Sequence, residues 1–157
     1  MAATRGKGKA GKAVTARAGG SAAALDPADY ERLAEFRYLL RQFLVFSEQA
    51  AEAAGLTAQQ HQALLALKGH RGPAPLGIGA LAERLAIRHH SAVGLIDRLA
   101  AKDLVRRSSP ASDRRQVLIE LTPHAEALLH KLTSAHRREL ARIAPLLSEL
   151  LKPFVRG

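Results

Sequence analysis

Apolar residues recur at helical spacing along most of the chain, and this pattern predicts five helices. Asp26 is expected to cap the first helix, with Pro27 at its first position, and Thr57 with Gln60 forms the capping box of the second. Pro145 is expected to break the last helix because proline removes a backbone donor, leaving a short amphipathic segment at the end. The predicted ranges are 27–54, 58–68, 78–85, 89–102 and 123–144.

Between the fourth and fifth helices the apolar spacing changes to a period of two. Segments 104–107 and 117–121 therefore predict two short strands, the second with Val117, Ile119 and Leu121 on one face. The predicted fold class is mainly α with a small β-hairpin wing. A helix pair followed by a hairpin with a basic connection can place a helix in the major groove of DNA and the hairpin in the minor groove beside it.

The chain has 157 residues and is strongly basic, with a formal net charge of +10. This excess indicates a polyanionic partner, and double-stranded DNA fits the predicted fold. Residues 1–25 are expected to form a disordered basic tail, either solvated or a DNA-binding arm. The absence of cysteine excludes a disulfide scaffold, a thiolate zinc site and a cysteine oxidation switch. With neither an apolar run of membrane-spanning length nor a secretion signal, we expect a cytoplasmic protein without a membrane partner.

The fourth helix carries its apolar residues on one face, at Ala92, Leu95, Ile96 and Leu99. The opposite face is therefore expected to be available to DNA, with its N-terminal turn near the base edges. The candidate DNA contacts on this helix are Arg88, His89, His90, Ser91, Val93 and Arg98. Gly94 lies on the same face, and two interpretations remain open: a close approach to DNA, or neutral drift at a surface position.

The adjacent histidines His89 and His90 also suggest a metal site. Adjacent helical residues point about 100° apart, so they do not chelate one ion from the same face. His124, His130 and His136 are six residues apart and do not share a face either. We expect no metal and no cofactor; His89 and His90 contact the groove or are a plain exposed pair.

The predicted hairpin carries Asp113-Arg114-Arg115 in its connection. Asp113 can hold an arginine side chain in one orientation through bidentate hydrogen bonds. An arginine held in this way suits a narrow minor groove, where the potential is most negative. In isolation such a tripeptide would be a solvated turn, but the preceding helix pair favours the DNA-binding interpretation.

Several segments, in their order and spacing, resemble the MarR family of bacterial winged-helix transcription regulators. They are Leu81-Ala82-Glu83-Arg84-Leu85, Leu95-Ile96-Asp97-Arg98-Leu99, Leu104-Val105-Arg106-Arg107, Asp113-Arg114-Arg115 and Leu121-Thr122-Pro123. The resemblance covers the chain from about Asp29 to Phe154.

The resemblance implies an obligate homodimer in which each subunit presents one winged helix-turn-helix to a pseudo-palindromic operator. The first helix, about 28–54, and the last helix with the short segment after Pro145, about 123–155, would form the dimer interface. The winged helix-turn-helix would span about 57–121. Arg115 would enter the minor groove and Arg114 would contact phosphate. Many relatives release DNA when a small, often aromatic or phenolic, ligand binds between these two regions.

Two positions depart from the family pattern. Asp103 stands where relatives usually have a glycine, which tolerates a left-handed helix end, so this turn is expected to be strained or differently shaped. Gly94 stands where a longer polar side chain is common, so base contacts cannot be transferred to that position.

A ligand pocket is expected between the first and second helices. Its candidate lining residues are Phe36, Arg37, Leu40, Phe43 and His61. Arg37 could pair with a carboxylate, and His61 stands where helix packing favours an apolar residue. The simpler interpretation also stays open, in which His61 is a satisfied half-buried histidine and Arg37 a surface charge.

The leading functional hypothesis is a ligand-responsive repressor, and the alternative is an architectural DNA-binding protein with little sequence preference. The basic tail supports the alternative because it would strengthen sequence-independent binding. An enzyme is not expected: the carboxylates are scattered along helical surfaces, and no glycine-rich phosphate loop occurs.

Overall fold

The computed structural model describes residues 26–72, 75–109 and 117–155. Within these ranges the predicted fold class is confirmed, because the chain is mainly helical with one two-stranded antiparallel hairpin. The elements are α1 (Pro27–Ala53), α2 (Ala58–Lys68), α3 (Ile78–Arg84), α4 (His89–Ala101), β1 (Val105–Ser108), β2 (Leu118–Leu121) and α5 (Pro123–Val155). The predicted tail and Asp113-Arg114-Arg115 lie outside the described residues. None of the described helices combines the length and the apolar character that a membrane-spanning helix requires.

Hydrogen bonds confirm the predicted N-caps of α1 and α2, and Thr122 caps α5 in the same way. The backbone N–H of Asp26 donates to the Asp29 carboxylate at 3.1 Å, while the Asp26 carboxylate accepts from the N–H two residues on. Thr57 and Gln60 make the reciprocal pair, both at 3.1 Å. The Thr122 hydroxyl accepts from the N–H three residues on at 3.2 Å and donates to a loop carbonyl at 2.7 Å. These bonds satisfy donors that a helix start would otherwise leave unpaired.

The predicted break at Pro145 is wrong, because α5 continues through both Pro145 and Pro153. Pro145 cannot donate to the carbonyl of Ala141, but both residues are exposed, so water can satisfy that carbonyl. Ile143 stays buried beside the proline, and α5 packs along α1. Packing of the helix thus outweighs the local cost of proline, and the two predicted C-terminal segments form one helix.

The core lies among α2, α3, α4, the hairpin and the first half of α5. The hairpin pairs Val105 with Leu121 and Ser108 with Leu118, and Ile119 donates its N–H to the Leu76 carbonyl at 3.2 Å. The predicted inward face of β2 is confirmed for Ile119, which is buried, whereas Val117 precedes the strand and is exposed. The buried apolar cluster consists of Ala51, Leu56, Ala63, Leu64, Leu76, Leu81, Leu95, Ile96, Leu99, Leu104, Val105, Ile119, Ala125, Leu129 and Leu132.

Three helices end with the same left-handed motif. Its central residues are Gly55 at φ 75°, Ala86 at φ 52° and Asp103 at φ 53°. At the end of α4 the N–H of Leu104 donates to the Leu99 carbonyl at 3.0 Å, which closes the turn in the manner of a Schellman motif. Asp103, which stands where relatives usually have glycine, therefore adopts the same left-handed turn as Gly55. It carries the strain of a left-handed residue with a Cβ, about 1–2 kcal/mol.

Ala86→Gly should raise the free energy of unfolding by about 0.5–1 kcal/mol, because relief of left-handed strain exceeds the added chain entropy. Gly55→Ala is the matched control and should lower it by about 1 kcal/mol. A methyl group at Gly55 meets no atom within 4 Å, so only backbone conformation changes there. Urea denaturation of the two variants measures both effects; two unchanged midpoints would show that these turns store no strain.

Candidate nucleic-acid interface

The predicted core face of α4 is confirmed: Ala92, Leu95, Ile96 and Leu99 are fully buried. This packing against α3 and the hairpin orients the helix and leaves its other side outward. Of the predicted DNA contacts, Arg88, His89, His90 and Arg98 are exposed, and Ser91 and Val93 are half-buried. The structure therefore places all six on the outer side or N-terminal end of one helix.

The N-terminal end of α4 has an open set of backbone donors. Arg88 occupies the N-cap position and makes no side-chain capping bond, and the first turn carries no acidic residue. The free N–H groups and the helix dipole favour an anion at this end. With Arg88, His89 and His90 exposed beside them, this end of α4 is suited to a phosphate or an electronegative base edge.

An ion pair joins α4 to the hairpin. Arg107 of β1 donates from Nη2 to Oδ1 of Asp97 at 2.5 Å. On the outer edge of the hairpin, the Ser108 hydroxyl donates to the Glu120 carboxylate at 3.0 Å. The hairpin is thus tied to the outer face of α4 close to the start of its connection, while Arg106 remains exposed. The sequence did not predict this ion pair, because its two residues lie on different elements.

Gly94 lies next to Arg98 on the outer face of α4. A Cβ built at Gly94 would meet the Arg98 guanidinium at 3.4 Å, an ordinary contact with the end of a flexible side chain. The fold itself therefore does not require glycine here, and the two interpretations of Gly94 both remain.

The predicted ligand-pocket residues do not form one site. Phe43 and His61 line a cavity of about 360 Å³ between α1, α2 and α5, whereas Arg37 and Leu40 line a separate one of about 340 Å³ on the outer side of α1. Phe36 is half-buried and lines neither of these two. The reason is helical geometry: Phe43 lies on the packed side of α1, and Arg37 and Leu40 lie on the exposed side. The cavity beside His61 is called the His61 cavity below; its other lining residues are Leu65, Thr133, His136, Arg137 and Leu140.

His136 was not predicted as part of this site. Its ring centroid lies 4.8 Å from that of His61, and Phe43 and Phe46 pack edge-on against it at 5.8 and 5.4 Å. Its Nδ1 lies 2.7 Å from the Leu132 carbonyl, which can only accept, so Nδ1 carries the proton. The signal was present in the sequence, because His136 continues the helical spacing of Leu129 and Leu132 on the buried stripe of α5.

His61 is only 3% exposed. Burial lowers the pKa of its imidazole below the ordinary value of 6.5, and the repulsion that would arise if His61 and His136 were both protonated lowers it further. His61 is therefore neutral at pH 7. In the described ranges, no group of three or more His, Asp or Glu side chains is placed to hold a metal ion.

His61→Gln should reduce the loss of stability between pH 7.5 and 5.5. The unfolded imidazole takes up a proton near pH 6.5, before folded His61 does, so the stability that neutral His61 contributes is complete above 6.5. It is lost as the pH falls through 6.5 toward the lower pKa of the folded state. Thermal unfolding across this range measures the effect, with the exposed His124→Gln as control. Equal pH slopes for wild type and His61→Gln would contradict the assignment.

The chain has clear relatives among known proteins. A family model described as MarR family matches residues 54–116. The chain is 32% identical over 123 residues to the HTH-type transcriptional repressor NicR of Pseudomonas putida, covering 75% of each protein. It is 27% identical over 101 residues to the HTH-type transcriptional repressor MdtR of Bacillus subtilis, covering 64% of this chain and 63% of that protein. The structure of a MepR–DNA complex from Staphylococcus aureus aligns with a TM-score of 0.61 and 25% identity, covering 76% of this chain and 90% of that one.

Proposed function

This chain belongs to the MarR family of DNA-binding transcription regulators, and from that premise we propose that it is a ligand-responsive repressor. It binds a pseudo-palindromic operator as a homodimer and releases it when a small organic molecule occupies the His61 cavity. The observation that carries this proposal is the orientation of α4. Its inner face is buried in the core, so its basic outer face is exposed beside a basic hairpin.

The DNA contacts are assigned by position on this surface. Arg88, His89, His90 and Ser91 lie at the N-terminal turn of α4, the part of a recognition helix that meets base edges in the major groove. Val93 contacts a thymine methyl, and Arg98, farther along the helix, contacts the backbone. In the hairpin connection, Asp113 orients an arginine, Arg114 contacts phosphate and Arg115 enters the minor groove.

The homodimer is supported by an unpartnered apolar stripe on α1. Tyr30, Leu33, Leu40 and Leu44 are exposed and are separated, with Arg37 between them, by alternating steps of three and four residues. This is the spacing of a helix seam that packs against another helix. We assign 28–54 and 123–155 to dimerisation, 57–121 to DNA binding and 1–25 to a basic tail.

The response to a ligand follows from where the His61 cavity lies. Phe43 belongs to α1 and Thr133 to α5, both assigned to dimerisation, whereas His61 and Leu65 belong to α2 of the DNA-binding region. A ligand that changes the spacing of these helices changes the separation of the two α4 helices in the dimer. Operator binding requires a fixed half-site separation, so such a ligand lowers affinity.

The test is the affinity ratio between a sequence that the protein selects from a random duplex library and random DNA, at one salt concentration. A regulator should prefer the selected sequence by roughly 10³-fold or more. A ratio near one would favour the alternative of an architectural DNA-binding protein.

A further inference from the structure

We propose that the His61 cavity binds an organic anion together with one proton, which His61 holds against the anion, so that effector capture is coupled to pH. The proposal rests on the proposed ligand-responsive function but concerns binding alone, which can be measured without DNA.

The chemistry of the cavity wall indicates an anion with an apolar body. Phe43, Leu65 and Leu140 supply apolar surface, and Arg137 is the one permanently charged side chain among the described lining residues. No carboxylate occurs in that set. A volume of about 360 Å³ accommodates a molecule of one or two rings. An uncharged apolar molecule would cover the His61 imidazole without giving it a hydrogen-bond partner, which burial penalises.

The two imidazoles differ in their available nitrogens. His136 donates from Nδ1 to the Leu132 carbonyl, and its Nε2 lies 2.8 Å from the Ser47 hydroxyl, which donates to it. Both nitrogens of His136 are therefore engaged. His61 makes no side-chain hydrogen bond to any of the described residues, although it is almost completely buried and lines the cavity. His61 is thus the imidazole that is free to donate to a bound anion.

The charged groups around His61 and His136 determine how many protons the two imidazoles can take up. From α1 the neighbours are Phe43, Phe46 and Ser47, which carry no charge, and from α5 Arg137 is the charged neighbour of His136. The lysine of α2, Lys68, is paired with Glu126 of α5 at 2.5 Å.

No carboxylate occurs among the described residues that line the cavity, and without a bound anion His61 is neutral at pH 7 because burial and His136 lower its pKa. A bound anion supplies the missing counter-charge and raises that pKa again. Because the ring centroids are 4.8 Å apart, one additional charge is accommodated and a second is repelled. One proton is therefore taken up for each anion bound.

The test uses 2-naphthoate as the probe and the full-length protein without DNA. Isothermal titration calorimetry in two buffers of different ionisation enthalpy measures the protons taken up. We expect an uptake approaching one proton per site and an affinity that rises by up to about tenfold per pH unit as the pH falls from 8 to 6. The neutral analogue 2-naphthamide should bind without this pH dependence.

His61→Gln keeps a hydrogen-bonding side chain of similar size but cannot titrate. It should abolish the proton uptake and flatten the pH dependence of naphthoate binding, whereas His124→Gln, at an exposed position of α5, should leave both unchanged. If His61→Gln does not fold, the two-buffer comparison on the wild-type protein decides alone. Naphthoate binding without proton uptake, or no binding between pH 6 and 8, would overturn the proposal.

The proposed function fails by a different measurement. If naphthoate binds with a proton but does not change operator affinity in fluorescence anisotropy, proton-coupled binding stands and ligand-responsive repression by this cavity fails. If another ligand releases the operator without proton uptake and naphthoate does not bind, repression stands and proton coupling is wrong.

Discussion

Replacing Arg115 with alanine is expected to lower affinity for the selected operator by about 10- to 100-fold, the loss of roughly 1–3 kcal/mol that follows removal of one specific arginine contact. Arg115 lies in the connection between β1 and β2, whose paired ends at Ser108 and Leu118 bring the two ends of that connection together. A narrow minor groove concentrates negative potential, so a guanidinium inserted there contributes more than one on the outer backbone. The dimer and the fold should be unaffected, which size-exclusion chromatography and circular dichroism check.

Arg114→Ala is the matched control, since it removes the same charge from the neighbouring residue. As a phosphate contact, Arg114 should weaken operator and random DNA about equally and reduce the slope of log affinity against log salt by about one. Arg115→Ala should instead lower the ratio of operator to random binding. Anisotropy titrations at several salt concentrations measure both quantities. Unchanged operator affinity in Arg115→Ala would remove this residue from the mechanism.

The double variant Leu33→Glu, Leu44→Glu is expected to dissociate the homodimer and thereby abolish operator binding at concentrations where the wild type is saturated. The two leucines are 53% and 57% exposed in the single chain and lie on the apolar stripe of α1. In a two-fold symmetric dimer both subunits contribute the two substituted residues to the interface, so four carboxylates would have to be desolvated. A monomer contacts only one half-site and loses the gain from binding two linked sites, typically 10²- to 10⁴-fold.

Size-exclusion chromatography with light scattering measures the oligomeric state, and circular dichroism checks that the helices remain. The control is Gln42→Glu, which adds a carboxylate at an exposed position on the opposite side of α1. It should leave the dimer and its operator affinity unchanged. A double variant that stays dimeric would show that the stripe is not the interface.

Most of the elements could be predicted because their signals are local. The bonds at Asp26, Thr57 and Thr122 join residues two or three apart, so the sequence contains both partners side by side. The buried face of α4 follows from spacing alone, since any helix with that pattern buries the same four residues. Asp103 illustrates a partial success: the strain was expected, but the retained turn geometry depends on the bond from Leu104 to Leu99.

The candidate ligand site could be predicted only in part. Phe43 and His61 were identified, but spacing along α1 could not say which of its two apolar faces turns toward α2. Arg37 and Leu40 were therefore predicted to line the same cavity as His61, whereas they line a separate one. Histidine spacing along α5 gives His136 no histidine neighbour on that helix, and the side chains that contact its ring come from α1 and α2.

The amino-acid sequence by itself determined where the helices begin, which face of α4 is buried and that a basic hairpin follows it. Caps, periodicity and charge act between neighbours in the chain, so the order of residues is sufficient to specify them. The tertiary structure alone decided that α5 passes through Pro145, that Asp97 is tied to Arg107, and that His61 meets His136 in an apolar cavity. These features depend on contacts between segments that are distant in the chain. The free energy of such packing can exceed a local conformational preference, and no local sequence pattern encodes it.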